Sequence, residues 1–499
     1  MKRYLKKMNA SPQIGSRRSF LRTAVTGGAG TMILGRSAGG QNSDLTQLSL
    51  LEASQLVRWL RVSPVELTRA CLDRIRRLQP ILNAFITITD EQALNDARKA
   101  EADILQGQWK GPLHGIPLGV KDEFDTVGVR TTAGSQVFLD RIPDEDAEVV
   151  RRLKAAGAIL LGKHNMDEFG GGVGILGTSF FGPVHNPWDV NYYAGAGSST
   201  GSAASVSAGL CFGALGADTG GSIRGPASWS GIVGLKPTFG RVSKRGAIPY
   251  SWSLDHVGPI TRTVADAALM LRAIAGYDAA DTTTVSLPVP DYAAALDEKT
   301  ASLRLGVPRI RFYEALNPEV EIAVNEALSV LSSLTAGLEE TDLQRFPISM
   351  MGTITSGESW TYHEPFVRDM SQLYTQEALA NLQRRAATPL TDYIRARQDL
   401  DLVRRYIFEA FSNVDLLVTP TIARPAQQIG ETIAGNAFRN LNSFNVYGLP
   451  AISVPCGFTK GGLPIGLQII GPPWSEENVL RLAHSYEQAT RWHLRQPNL

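Results

Sequence analysis

The chain has few of the residues that build disulfide frameworks and metal centres. It contains three cysteines and seven histidines in 499 residues. The cysteines, Cys71, Cys211 and Cys456, stand far apart among apolar residues, where a cysteine is usually a small buried hydrophobe. No two histidines form an H-E-x-x-H pair or another close ligand spacing. We therefore expect no disulfide framework, no metal site and no cofactor.

The chain also lacks a long apolar run, low-complexity tracts and a surplus of positive charge. A membrane-spanning helix needs about 20 consecutive apolar residues, and no such run is present. The 43% of apolar residues suffices for a large buried core. With 49 basic and 48 acidic side chains, the surface offers little attraction to a polyanion. A large soluble enzyme is expected, without a nucleic-acid partner.

The N-terminal segment is the exception to this even charge. Ser16-Arg17-Arg18-Ser19-Phe20-Leu21-Arg22 precedes a modest apolar run at 23–35. This order resembles a twin-arginine export signal, which a receptor reads and which is not part of the fold; a disordered basic tail is the alternative. We predict a signal at residues 1–37 and a periplasmic or secreted protein, with a cytoplasmic protein as the alternative.

Removing residues 1–37 would change the charge of the chain. That segment holds eight basic and no acidic residues, so 41 basic side chains would remain against 48 acidic ones, a net charge of −7. This balance again disfavours a polyanionic partner. Contact with a membrane is expected only if the segment is retained, and the sequence leaves a homodimer open.

Three glycine-rich or apolar segments carry the strongest chemical signal. Gly195-Ala-Gly-Ser198-Ser199-Thr-Gly201 is followed, 24 residues after Ser198, by Ser222 within Asp218-Thr-Gly-Gly-Ser222-Ile-Arg224. Upstream, Lys121 ends an apolar, strand-like run. A lysine can deprotonate a serine only if its surroundings hold it neutral, and apolar neighbours favour this. The consecutive N–H groups beside Ser222 suit an oxyanion. Together the segments indicate a serine hydrolase that uses no histidine.

These segments and several others resemble the amidase signature family. The motifs that carry the resemblance are Gly111-Pro-Leu-His-Gly-Ile-Pro-Leu-Gly-Val-Lys121-Asp, the serine-rich loop, Gly220-Gly-Ser-Ile-Arg-Gly-Pro-Ala-Ser228, Ser253-Leu-Asp-His-Val-Gly-Pro259 and Gly448-Leu-Pro-Ala-Ile-Ser-Val-Pro-Cys-Gly457. They occur in one order over residues 45–499. The resemblance implies one large α/β catalytic domain over that range, with a central mixed sheet wrapped by helices.

The resemblance also implies the roles of individual residues. Lys121 would be the base, Ser198 the bridging serine on a cis peptide, and Ser222 the nucleophile that forms an acyl-enzyme. The implied oxyanion hole is formed by Thr219, Gly220, Gly221 and Ser222. The substrate would be a small amide. The stretch 270–420 would form a variable substrate wall, and its aromatic candidates are Trp360, Tyr362, His363, Phe366 and Tyr374.

Local patterns support the α/β class independently. Ser63-Pro64-Val65-Glu66 has the form of a capping box, and Leu67, Cys71, Ile75 and Leu78 would then share one helical face. A helix at 147–156, closed by Gly157, precedes an apolar strand at 158–161. Another helix is predicted at 203–209, and strands at 415–420 and 451–455. Alternating helices and buried strands are typical of α/β folds.

Other readings of the serine-rich loop and its neighbours remain open at this stage. Gly197-Ser-Ser199-Thr-Gly201 fits the G-x-S-x-G elbow, which would make Ser199 the nucleophile of an α/β-hydrolase with a histidine downstream. A phosphate-binding loop is a weaker reading, because the G-x-x-x-x-G-K spacing is absent. Lys163 is a second candidate base, and Ser222 could be a helix N-cap. Asp218 and Arg224 are expected to form an ion pair that braces the loop.

The sequence leaves three functions open. A stand-alone amidase that hydrolyses a small carboxamide or aryl amide is favoured. The A-type component of the glutamyl-tRNA amidotransferase, which takes ammonia from glutamine in the cytoplasm with partner subunits, is the alternative within the family. That branch carries an acidic residue a few positions before the asparagine that corresponds to Asn445, and residues 435–445 have none. An inactive binding module is the third reading, which the presence of Lys121, Ser198 and Ser222 together disfavours.

Overall fold

A mixed β-sheet of eleven strands lies at the centre of the protein. The computed structural model describes residues 44–173, 177–431 and 438–499, so the predicted signal at residues 1–37 lies outside the described residues. The strands, including the separate hairpin of β4 and β5, are β1 (Phe85–Ile88), β2 (Pro117–Lys121), β3 (Ile159–His164), β4 (His185–Asn186), β5 (Asp189–Tyr193), β6 (Gly213–Asp218), β7 (Val233–Lys236), β8 (His256–Thr261), β9 (Arg304–Val307), β10 (Gly337–Glu340), β11 (Leu416–Pro420), β12 (Ala451–Phe458) and β13 (Pro464–Ile470).

Helices surround this sheet. Those longer than one turn are α1 (Leu50–Arg58), α2 (Pro64–Leu82), α3 (Asp90–Leu105), α4 (Glu148–Ala155), α5 (Thr200–Ser207), α6 (Arg224–Ser230), α7 (Val264–Ile274), α8 (Pro318–Leu334), α9 (Met350–Met370), α10 (Gln376–Ala386), α11 (Leu390–Tyr406), α12 (Arg439–Val446) and α13 (Glu476–Thr490). Residues Asp44–Leu499 form one compact unit. The predicted α/β class with a helix-wrapped mixed sheet is therefore confirmed. Among the described helices, none has both the length and the apolar character needed to cross a membrane.

The strand order places the ends of β2 and β6, two strands that are distant in the sequence, on the same side of the sheet. From edge to edge the order is β1-β3-β2-β6-β8-β7-β12-β13-β11-β9-β10. Strand β2 lies between β3 and β6 and is parallel to both. Because neighbouring parallel strands end on the same side of a sheet, Lys121 at the end of β2 and Asp218 at the end of β6 lie on the same side, with Val120 opposite Leu215. The glycine-rich loop after Asp218 therefore begins on the side of the sheet where Lys121 lies.

The buried strands β2, β3 and β6 are enclosed by helices on the sheet faces. All residues of these three strands are buried. Helix α5, which begins directly after the serine-rich loop, packs against β2, β3, β6 and β8. Its small residues, including Ala203 and Ala204, are fully buried and allow this close approach. Helix α5 thereby holds the serine-rich loop at the side of the sheet where β2 ends at Lys121.

Helix α2 forms as its sequence predicts. The Ser63 hydroxyl accepts a hydrogen bond from the Glu66 N–H at 3.0 Å, and the Glu66 carboxylate accepts one from the Ser63 N–H at 2.7 Å. Pro64 occupies the first turn, where its missing N–H costs nothing. The face formed by Leu67, Cys71, Ile75 and Leu78 is buried. The predicted capping box and helical face are confirmed.

Small differences in the predicted boundaries have local causes. Helix α4 covers the predicted 147–156 except for its end residues, which are its caps, and Gly157 with φ +83° follows it. Helix α5 begins three residues earlier than the predicted 203 and ends before Gly209, whose φ is +70°. Strands β11 and β12 lie where strands were predicted. The three cysteines are buried and free.

Candidate active site

Lys121 and Ser198 form a buried hydrogen-bonded pair. The Lys121 Nζ donates to Ser198 Oγ at 2.7 Å, and each residue is 1% exposed. Ser198 lies in the loop that leads into α5, and the Asp167 N–H donates to its carbonyl oxygen at 3.3 Å. The strand end and the loop therefore place a lysine amine directly against a serine hydroxyl, where little water can compete.

Ser222 lies on the other side of this loop, over Gly197. A Cβ atom added to Gly197 would stand 3.1 Å from Ser222 Oγ and 3.1 Å from Ser222 Cα, and Gly197 has φ +104°. Only glycine adopts this backbone conformation readily while leaving room for Ser222. The Ser199 N–H donates to the Ser222 carbonyl oxygen at 3.2 Å and ties the two loops together. Ser222 is half-buried, so of the two serines it is the one that a substrate can reach.

The peptide geometry at Ser198 differs from the expectation. The described residues contain no cis peptide bond, so the peptide at Ser198 is trans. The expected cis peptide was wrong for this structure. The bend of the loop comes instead from Gly197, whose positive φ a glycine adopts without a Cβ clash.

The loop after β6 is organised around the Asp218 carboxylate. Its oxygens accept hydrogen bonds from the N–H groups of Gly221 at 2.7 Å and Ile223 at 3.1 Å. The Gly221 N–H is therefore already committed, and the predicted set of four oxyanion donors is too large by one. In the described part of the chain, the N–H groups of Thr219, Gly220 and Ser222 donate to no protein group. These three remain as the candidate donors.

The predicted ion pair of Asp218 and Arg224 is confirmed. Arg224 Nε lies 3.0 Å from Asp218 Oδ2 and Nη2 lies 3.0 Å from Oδ1, with both residues fully buried. Asn445 Oδ1 accepts from Arg224 Nη2 at 2.6 Å, and Gln468 Oε1 accepts from Nη1 at 3.1 Å. Burial alone would raise the pKa of Asp218, but the charge and hydrogen bonds of Arg224, together with Lys236 and Asn445, outweigh it and hold that pKa well below its usual range. The carboxylate thus stays ionised and braces the loop.

Ser222 does not cap a helix. Helix α6 begins at Arg224 and its N-cap residue is Ile223, with no side-chain cap. The Asp218 carboxylate accepts hydrogen bonds from the Ile223 and Arg224 N–H groups. Asp218 therefore caps the helix, although it lies earlier in the chain than the usual N-cap position. This leaves the Ser222 hydroxyl without a structural hydrogen bond to a backbone N–H of the described chain.

The elbow reading of Ser199 is wrong. The Ser199 hydroxyl is fully buried, donates to the Ala217 carbonyl oxygen at 3.2 Å and accepts from the Ala217 N–H at 3.3 Å. It therefore joins the loop to β6. No histidine of the described residues hydrogen-bonds to Ser198, Ser199 or Ser222. A Ser-His relay on Ser199 has no geometric basis.

Lys163, the second candidate base, is directed elsewhere. It is paired with Val120 across β2 and β3, whereas Lys121 is paired with His164. The Lys163 Nζ donates to the Phe124 carbonyl oxygen and to Thr131 Oγ1, both at 2.6 Å. Burial lowers the pKa of Lys163 to about 8 despite the nearby Asp122 carboxylate. It is a buried structural lysine with no contact to the candidate serines in the described structure.

Two carboxylates at the site were missed from sequence. Glu123 Oε2 lies 2.9 Å from Lys121 Nζ, and both side chains are buried. Asp255 Oδ1 accepts from Thr219 Oγ1 at 2.5 Å, so it holds one end of the candidate oxyanion loop. Burial raises the pKa of Asp255 to about 7. Glu123 follows the end of β2 in a turn, in which the Phe124 N–H donates to the Lys121 carbonyl oxygen at 3.2 Å, so strand periodicity gave no signal for this contact. Asp255 had no local signal either.

The aromatic candidates of the predicted substrate wall form a cluster in the structure. Two further side chains, Met351 and Asn442, lie against Gly220 and were not singled out from the sequence. Trp360, Tyr362, Phe366 and Tyr374 belong to one hydrophobic cluster with Phe138 and Phe169, and the His363 ring lies edge-on to Phe169, with ring centroids 4.5 Å apart. A Cβ atom added to Gly220 would stand 2.8 Å from Asn442 Oδ1 and 3.1 Å from Met351 Cε. Helices α9 and α12 therefore each place a side chain against Gly220, one of the candidate oxyanion donors. In the described residues, no three His, Cys, Asp or Glu side chains are grouped to hold a metal ion.

Comparison with known proteins identifies the class. The fold and the buried lysine beside two serine-bearing loops are those of an α/β enzyme that acts on amides. The chain belongs to the amidase signature family: the family model described as Amidase matches residues 66–480. The resemblance predicted from the motifs is thereby confirmed.

Individual relatives include both branches that the sequence left open. The chain is 41% identical over 486 residues to the A-type component of the glutamyl-tRNA(Gln) amidotransferase of Moorella thermoacetica, covering 91% of this chain and 99% of the relative. It is 34% identical to the peptide amidase from Stenotrophomonas maltophilia, with a TM-score of 0.82 over 90% of this chain and 98% of that one. The corresponding amidotransferase component from Thermotoga maritima, a solved structure, has 32% identity, a TM-score of 0.75, and coverage of 90% and 96%.

Proposed function

We propose that the protein hydrolyses a carboxamide C–N bond to an acid and ammonia or an amine, through an acyl-enzyme on Ser222. The observation that carries this proposal is the buried Lys121 Nζ to Ser198 Oγ hydrogen bond, together with the half-buried Ser222, which lies against Gly197, the residue before Ser198. A serine becomes a competent nucleophile when a neighbouring group accepts its proton. The Lys121 and Ser198 side chains provide a path for that proton.

The proposed reaction uses each loop for one task. Ser198 gives its proton to Lys121 and takes the Ser222 proton, while Ser222 Oγ bonds to the amide carbon. The resulting oxyanion would be held by the three uncommitted N–H groups of the loop after β6, which the carboxylates of Asp218 and Asp255 keep in place. The proton returns to the leaving nitrogen as the C–N bond breaks. Water then releases the acid from Ser222 by the same relay.

Helix α12 favours an amide without an α-ammonium group. The helix lies beside Gly220 through Asn442 and carries a positive Arg439 but no carboxylate. A free amino acid such as glutamine would present its ammonium to this wall without a charge partner, which is unfavourable in a partly buried site. We therefore favour a stand-alone amidase that acts on an uncharged carboxamide or aryl amide.

A glutamine-hydrolysing component of an amidotransferase is the second candidate. It is favoured by the relatives, because the amidotransferase component of Moorella thermoacetica is matched over 99% of its length at 41% identity. Under this reading the chain would act with partner subunits and use the same three residues. Ammonia release separates the two candidates: the stand-alone reading expects at least tenfold higher kcat/KM for a neutral carboxamide than for glutamine. Hydrolysis of glutamine alone would favour the second candidate.

The nucleophile is tested by intact mass after exposure to a fluorophosphonate. One adduct is expected on the wild-type protein, because an activated serine attacks the phosphorus atom. The adduct should be lost in Ser222→Ala and Lys121→Ala. Ser199→Ala is the matched control and should still label, since its hydroxyl bonds only to β6. Labelling that survives in Ser222→Ala would contradict the proposal, and a folded protein that never labels would favour the inactive module.

We also propose that the chain is exported, on the basis of the Ser16–Arg22 sequence. A role in tRNA amidation, the function in the name of the Moorella relative, would instead require the cytoplasm. Fractionation of cells that express the full chain and its Arg17→Lys, Arg18→Lys variant distinguishes these. We expect the unchanged chain outside the cytoplasm and the variant inside it. An identical cytoplasmic distribution of both would contradict export.

A further inference from the structure

The base of the proposed relay has a second partner besides Ser198. The Glu123 carboxylate lies 2.9 Å from Lys121 Nζ, while Ser198 Oγ lies 2.7 Å from the same nitrogen. The Lys121 side chain is 1% exposed and the Glu123 side chain 6%. A Cβ atom added to Gly170 would stand 3.5 Å from Glu123 Oε2 and 3.7 Å from Ser198 Oγ. The carboxylate and the serine hydroxyl therefore lie under the same glycine, in one small enclosed space around the amine.

This arrangement poses a chemical problem for the relay. A carboxylate beside a lysine stabilises the protonated amine, and an ammonium group has no lone pair with which to accept a proton from Ser198. Two buried opposite charges are also costly to desolvate. Moving one proton from Nζ to Glu123 Oε2 would remove both charges and restore the lone pair. Burial raises the pKa of the Glu123 carboxyl above its usual range, against the lowering effect of Lys121.

We propose that Glu123 stores the proton that Lys121 must release, so that the two residues share one proton and the working base is a neutral amine beside a neutral carboxyl. The inference rests on the proposed function. The proton passes from Nζ to Oε2; the freed lone pair then takes the Ser198 proton, Ser198 takes the Ser222 proton, and Ser222 Oγ forms its bond to the amide carbon. When the C–N bond breaks, the proton returns through Lys121 and Ser198 to the leaving nitrogen.

The other charged groups around the pair are already engaged or make no contact with it. Asp122 accepts from the Thr132 N–H at 2.8 Å and lies 3.5 Å from Lys163 Nζ. Asp255 accepts from Thr219 and from the backbone of residues 250 and 251. Asp167 is buried near Lys121, and burial raises its pKa to about 7, but it makes no ion pair with Nζ in the described structure. Glu123 is the carboxylate in contact with the amine.

The test is the pH dependence of the rate at which a fluorophosphonate labels Ser222. This readout needs no knowledge of the natural amide. The variants are Glu123→Gln, which keeps the shape but cannot hold the proton as a carboxyl, and Glu123→Asp, which keeps a carboxyl. Glu168→Gln is the matched control, because Glu168 is also buried but its carboxylate accepts from Ser135 at 2.6 Å. Thermal melting of each variant checks that it is folded.

In Glu123→Gln we expect the acidic limb of the labelling profile to stay within about half a pH unit of the wild-type limb, because glutamine has the neutral charge of the protonated carboxyl. An ionised Glu123 would instead hold the amine protonated, so its loss would move the limb to lower pH by about one unit or more, and that result would overturn the inference. Glu123→Asp and Glu168→Gln should keep the wild-type limb. The infrared difference spectrum between the wild-type protein and Glu123→Gln distinguishes a shared proton from a carboxyl group without a role: we expect the C=O band of a protonated carboxyl group at neutral pH, and carboxylate bands alone would also overturn the inference. An unlabelled Ser222 in the wild-type protein would instead overturn the proposed function.

Discussion

Replacing Lys121 with alanine is expected to slow amide hydrolysis by roughly 10⁴-fold or more, the scale seen when one member of an interdependent relay is removed. The cause is direct: Lys121 Nζ is the group that contacts Ser198 Oγ, at 2.7 Å, and the described residues place no histidine within hydrogen-bonding contact of Ser198 or Ser222. The measurement is kcat/KM on a responsive amide, together with the rate of fluorophosphonate labelling.

Two controls separate lost chemistry from lost structure in this experiment. Lys121→Ala leaves the buried Glu123 carboxyl group without the amine that contacts it, which by itself lowers stability. The double variant Lys121→Met, Glu123→Gln removes both ionisable groups and should regain stability without regaining activity. Lys163→Met removes a buried lysine of the neighbouring strand and should lose far less activity per folded molecule. If Lys121→Ala hydrolysed the amide at a wild-type rate, the assignment of Lys121 as the base would be wrong.

Replacing Arg224 with alanine is expected to lower the free energy of unfolding by about 3–5 kcal/mol, because it leaves the Asp218 carboxylate buried without its charge partner. The same change should strongly reduce labelling of Ser222, since Asp218 orders the loop through the Gly221 and Ile223 N–H groups. Urea unfolding at neutral pH measures the first effect. Arg368→Ala, which breaks an exposed ion pair with Asp369, is the matched control and should have a much smaller effect on stability.

The pH dependence of the Arg224 effect has a definite sign. The pKa of Asp218 is lowered in the folded protein, so its ion pair contributes stability above the pKa of the unfolded carboxyl, about 3.9. That contribution is lost as the pH falls through the folded pKa. The difference in stability between the wild type and Arg224→Ala should therefore be greatest at neutral pH and shrink in acid. A difference that stays constant down to acid pH, or grows there, would contradict the role given to this pair.

The parts of the site that sequence could predict are those with local signals. Lys121 ends a short apolar run, and such runs form buried strands. The glycines at 197 and 220–221 predict tightly bent loops, and in the structure Gly197 and Gly221 have positive φ. Helix α2 carries its own start signal in the capping box. In each case the residues that determine the feature are within a few positions of one another.

The parts that could not be predicted depend on contacts between distant segments. Ser199 fits a nucleophile motif until the structure shows its hydroxyl bonded to Ala217 in β6. The Gly221 N–H looks free in sequence and is in fact held by Asp218. Asp255 and Asn442 reach the loop only because β8 and α12 fold beside it. No periodicity or motif encodes these pairings, because each arises from the order of strands in the sheet.

Arg224 is held by Asn445 and Gln468, two residues that the ribosome adds near the end of synthesis. Lys121, Ser198 and Ser222 emerge from the ribosome within the first half of the chain, yet the residues that hold the loop around Ser222 arrive with α12 and β13 near the end. A growing chain therefore carries all three groups of the proposed relay long before their support exists. Hydrolysis should begin only after synthesis is nearly finished, which protects the amides of the cell from a half-made enzyme.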